Sequence, residues 1–76
     1  MFAKNQHIED ARALRDIYVL ERRKKIAAAL DRHRANGEGG LFGGEVKTFQ
    51  EIIEALDRVI RDEGALQQAG YPVDNL

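Results

Sequence analysis

Five of the chain's seven glycines fall within residues 37–44, inside the stretch GEGGLFGGEVKT. Glycine is about the weakest helix former after proline, so no helix is expected to cross this run. The stretches on either side are rich in Ala, Arg, Leu, Glu and Lys, which favour helix. Two helix-forming segments around one flexible joint can share a core only by folding back on each other. The expected architecture is a single small all-α domain, an antiparallel two-helix hairpin. Its parts are a long first helix over about 6–36, a glycine-rich connection over 37–47, a second helix over 48–63 and a tail over 64–76.

Size decides how well such a hairpin can stand alone. Chains of this length bury only about 60% of the surface they expose when unfolded. Although 43% of the 76 residues are apolar, ten of them are alanines, which add little buried area. There is no cysteine, so disulfides and thiolate metal sites are excluded. Association is the remaining reinforcement for a small scaffold, and a homo-oligomer is expected. No apolar run approaches the roughly 18 residues of a membrane span. The N-terminal MFAKNQHIED lacks the apolar core of a secretory signal, so the cytoplasm, or a particle assembled there, is the expected setting.

The second helix has the clearer pattern. Thr48 followed by Glu51 matches a capping box. Phe49, Ile52, Ile53, Leu56, Val59 and Ile60 recur at the spacing that lines one helical face, and Gly64 is placed to stop the helix. The tail ALQQAGYPVDNL can add one more turn ending near Gly70, beyond which Pro72 blocks continuation.

The first helix is less orderly. Ile8, Ala11, Leu14 and Tyr18 line one face, while Ile26, Ala29, Leu30 and His33 line another. Between them lie Ile17, Tyr18, Val19 and Leu20, then five charged residues, Glu21 to Lys25, where a kink would fall. Four consecutive apolar residues point around most of a helix, and one partner helix cannot cover them all. Ile17, Tyr18, Val19 and Leu20 are therefore the candidate partner-binding residues. The alternative for these four is a short strand, since three of them favour β structure. The expected core is Leu14, Tyr18, Ile26 and Leu30 against Phe49, Ile52, Ile53, Leu56 and Ile60.

The motifs that could carry chemistry are weak. A phosphate-binding loop needs Lys-Ser/Thr directly after its last glycine, between a strand and a helix. Here Glu45 and Val46 intervene between Gly44 and Lys47, and Glu38 and Glu45 place carboxylates where phosphate would lie. A tight turn at Gly43-Gly44, flanked by Leu41-Phe42 and Glu45-Val46 as a minimal hairpin, accounts for the glycines locally. His7 with Asp10, and Asp31 with His33, supply too few ligands for a metal site. The chain has no serine or cysteine nucleophile, and its carboxylates sit on helix surfaces, so no catalytic residues, cofactor or metal are expected.

Charge leaves one further function class open. Residues 1–36 carry nine Lys/Arg against five Asp/Glu, and residues 37–76 carry three against eight. The halves are +4 and −5 within a net charge of −1. This division suits two helices held together, with Arg and Lys of the first facing Glu54, Asp57, Asp62 and Glu63. It also allows nucleic-acid contact through Arg22, Arg23, Lys24 and Lys25 with Arg32 and Arg34. The expected function is a non-enzymatic protein–protein interaction module: an adaptor, assembly subunit or inhibitor that binds itself or another protein. The layout resembles small phage head–tail joining proteins, where a short hairpin separates two helices, and the two-helix co-chaperones of type III secretion. The likeness is of layout and brings no residue roles with it.

Overall fold

A computed structural model of the protein describes residues 4–36 and 44–73. It contains two helices, α1 over Gln6–Asn36 and α2 over Glu45–Gln68, lying antiparallel in a rod of 55 × 19 × 18 Å. The fold is the all-α hairpin expected from the sequence. The glycine joint at 37–43, with its tight-turn alternative at Gly43-Gly44, and the last residues 74–76 lie outside the described residues.

Asn5 starts α1. Its Oδ1 accepts a hydrogen bond from the Ile8 backbone N–H at 3.1 Å, satisfying one of the donors that a helix start leaves open. Helix α1 then runs through Ile17–Leu20 and Glu21–Lys25 without interruption, so the strand alternative is absent. No proline falls inside either helix, and the flanking helix formers carry the charged turn.

Both ends of α2 differ from expectation. The helix begins one turn early, at Glu45, with Gly44 in the capping position and no side-chain cap. Thr48 is already inside the first turns, where its Oγ1 donates back to the Gly44 carbonyl at 3.1 Å. The Thr48–Glu51 capping box is therefore absent. Starting at Glu45 places a carboxylate at the positive end of the helix dipole and lets it pair with Lys25 of α1 at 3.1 Å.

At the other end α2 passes through Gly64 and continues to Gln68. A mid-helix glycine is unfavourable by only about 1 kcal/mol relative to alanine, and the following Ala-Leu-Gln-Gln run continues the helix. Gly70 is the actual stop, with φ of +94°. The Gly70 N–H donates to the Gln67 carbonyl at 3.1 Å and the Tyr71 N–H to the Leu66 carbonyl at 3.0 Å. Those two bonds form a Schellman motif.

One register relates the two helices. Asn5 Nδ2 donates to Gln67 Oε1 at 3.0 Å, Arg15 Nε lies 3.3 Å from Asp57 Oδ1, and Arg22 Nη1 donates to Gln50 Oε1 at 2.7 Å. Each step up α1 is matched by one step down α2. The Gln6 N–H also donates to the Val73 carbonyl at 2.6 Å, tying the tail back to the start of α1.

The core is smaller than expected. Among the described residues, the buried apolar side chains are Ala11, Ala29 and Ile53, with Phe49, Ile52, Leu56 and Ile60 half-buried. Leu14, Ile26 and Leu30 are exposed, contrary to the core assigned from the sequence. The reason lies in which line of α1 meets α2. Ala11, Arg15, Tyr18, Arg22, Lys25 and Ala29 follow the alternating four-three spacing of a helix–helix seam. Of these, Arg15, Arg22 and Lys25 reach α2 by their charged ends, and Tyr18 stacks tilted on Phe49 with ring centroids 5.7 Å apart. Alanines and the stems of long basic residues thus fill the seam, and the bulky aliphatic residues stand beside it.

Candidate interaction surface

The four residues Ile17, Tyr18, Val19 and Leu20 separate once α1 is docked. Tyr18 turns inward onto Phe49. Ile17 and Leu20 point outward, each 55% exposed. Val19 is half-buried and, with Leu20, borders a shallow cleft with Arg15, Asp16 and Arg23. They do not make one patch; helical rotation of about 100° per residue sends them to different sides.

A contiguous apolar surface does exist, built from residues that are distant in sequence. Residues seven apart stay on nearly the same side of a helix. On α1 such a line contains His7, Leu14, Glu21 and Ala28; on α2 it contains Glu45, Ile52, Val59 and Leu66. His7 and Leu66 border one cleft at the start of α1, and Ala28 and Glu45 border another near the far end. The two lines therefore edge the same flank of the hairpin. Leu14 and Val59 stand on that flank 45% and 40% exposed, next to Ile17, and the register sets them at one level. Ile52 and Leu56 fill the flank between them, half-buried.

The opposite flank is mixed. Ile26 lies there in a cleft with Arg22, Lys47, Gln50 and Glu54. Gln50 Nε2 donates to Glu54 Oε2 at 2.9 Å, so Arg22, Gln50 and Glu54 form a short relay.

The six basic residues considered for nucleic-acid contact do not share a surface. Arg22 is bound to Gln50, Lys24 pairs with Glu21 at 3.1 Å, and Lys25 pairs with Glu45 at 3.1 Å. Arg32 borders the cleft with Lys25 and Ala28, while Arg23 and Arg34 are exposed. By helical rotation these residues leave the axis in at least four directions. Of the acidic partners expected on α2, Asp57 pairs with Arg15, and Glu54 joins the basic turn only through Gln50.

Among the described residues, no three His, Asp or Glu groups converge to hold a metal ion. No described helix is long and apolar enough to cross a membrane. Sequence reasoning missed Asn5, whose buried amide ties the two helices, and the flank of Leu14, Ile52 and Val59. The seven-residue spacing on both helices was the signal that could have found that flank. Comparison with protein-family models, with curated proteins and with solved structures finds no significant match to this chain.

Proposed function

We propose that the protein is a small protein–protein interaction module that acts by association, not by chemistry, in a cytosolic setting. The observation that carries this is the imbalance between core and flank. Among the described residues, Ala11, Ala29 and Ile53 are the buried apolar ones, while Leu14, Ile17 and Val59 remain exposed together on one side. Contiguous exposed apolar patches on small proteins mark interaction sites. Helical hairpins gain most of their stability from packing apolar faces, and here one such face is left for another helix to cover.

Immobilised protein tests the reading. Wild-type chain should retain either free copies of itself or a specific protein, and Ile17→Asp with Val59→Asp should lose that retention while keeping its helical circular dichroism. If wild type retains nothing that the double variant does not, the module reading is sunk.

A further inference from the structure

The first turn of α1 is held from the far end of the chain. A helix start leaves its first four backbone N–H groups without partners inside the helix. For α1 these belong to Asn5, Gln6, His7 and Ile8. The Ile8 N–H is served by the Asn5 side chain at 3.1 Å, but the Gln6 N–H donates to the Val73 carbonyl at 2.6 Å. Asn5 itself is held by Gln67, 62 positions away. Both the capping side chain and a second capped N–H therefore depend on residues 67–73.

The segment that supplies these partners is shaped to reach them. At Gly70, φ of +94° turns the chain out of α2, and the Gly70 and Tyr71 N–H groups fix that turn on the Gln67 and Leu66 carbonyls. The ring of Pro72 holds its own φ near about −65°, which lowers the entropy cost of keeping the strap in place. Tyr71 and Pro72 then border one cleft with His7, Glu63 and Leu66. Leu66 is half-buried there, whereas Val59, about two turns earlier on the same line of α2, is 40% exposed.

We propose that residues 70–73 and the first turn of α1 form a clasp that opens as one unit, ahead of the rest of the hairpin. Opening frees the Gln6 N–H and the Val73 carbonyl together, separates Asn5 from Gln67, and uncovers the Leu66 end of the apolar flank. Units with exposed backbone and few apolar contacts open at lower free energy than the body of a domain. Gly70, Tyr71 and Pro72 are all exposed. The rest of the seam is kept by contacts that the clasp does not share: Arg15 with Asp57, Tyr18 with Phe49, Arg22 with Gln50 and Lys25 with Glu45.

Amide hydrogen exchange on the full chain, read by nuclear magnetic resonance, tests this. In wild type the Gln6, Ile8, Gly70 and Tyr71 amides should share one protection factor, at least about tenfold below that of the Ile53 amide. Gly70→Ala, which strains the turn, should speed exchange at all four by a common factor of about ten, although Gln6 and Ile8 lie at the other end of the chain. Gln67→Ala, which removes the partner of Asn5, should likewise speed Gly70 and Tyr71 along with Gln6 and Ile8, and it decides by the same pattern should Gly70→Ala not fold. An unprotected Gln6 amide overturns the proposal, as does a Gly70→Ala effect confined to Gly70 and Tyr71. Protection at the four equal to that at Ile53 also overturns it, because the two ends would then open only with the whole hairpin.

Discussion

Asn5 joins the two ends of the hairpin to each other: its Nδ2 donates to Gln67 Oε1 at 3.0 Å while its Oδ1 caps α1 through Ile8. It is 8% exposed, and both bonds are partly buried. Asn5→Ala should therefore remove a cap and leave Gln67 without its partner, lowering stability by about 1–2 kcal/mol. Asn5→Ser keeps a capping oxygen but cannot reach Gln67, and should fall between the two. Urea unfolding followed by circular dichroism reads the order; an Asn5→Ala midpoint equal to wild type would show that the link carries no stability.

The two glycines of the α2 C-terminal region should respond with opposite signs. Gly64 lies inside the helix with open space where a Cβ would stand, so Gly64→Ala should stabilise by up to about 1 kcal/mol. Gly70 holds φ of +94°, and Gly70→Ala should destabilise by about 1–2 kcal/mol. Thermal melts of the two variants check this, and a destabilising Gly64→Ala would place the helix stop at Gly64 after all.

Thr48 gives a sharper contrast. As a capping residue its loss would be unfavourable by about 1 kcal/mol, but inside α2 its hydroxyl only bonds back to Gly44. Thr48→Ala should therefore be neutral or slightly stabilising in the same melts. A loss of the full capping energy would contradict a helix that begins at Glu45.

Among the described residues, Ile53 is the one large aliphatic side chain that is buried, at 6% exposure. Ile53→Ala should lower stability by about 2 kcal/mol or more. Leu30→Ala, at a position 44% exposed, should lose well under half of that. Chemical denaturation separates them, and equal losses would mean that Leu30 belongs to the core.

Two helices around a glycine joint were legible because the cues are local. Glycines cluster once, proline stays out of both segments, and Phe49 to Ile60 repeat with helical spacing. The ends of α2 were harder, since Thr48-x-x-Glu51 and Gly64 imitate a start and a stop. Each is weaker than what flanks it: Glu45 pairs with Lys25 of α1, and Gly70 has a two-bond Schellman closure. The seam of α1 was not legible from hydrophobicity at all. Its inward line is Ala11, Arg15, Tyr18, Arg22, Lys25 and Ala29, in which long basic side chains contribute stems to the interface and charge to its rim. Bulky Leu14 and Ile17 looked like core or like part of a four-residue patch, and became one side of a flank only when Ile52 and Val59 were set beside them.

On the reading proposed above, this thin hairpin completes its core by association through the Leu14–Val59 flank. Sedimentation equilibrium over a wide concentration range, with melts of the same samples, tests it most directly. A mass above 8.6 kDa and a melting midpoint that rises with concentration are expected, both abolished by Ile17→Asp with Val59→Asp. A mass of 8.6 kDa throughout, with a midpoint independent of concentration, would contradict it.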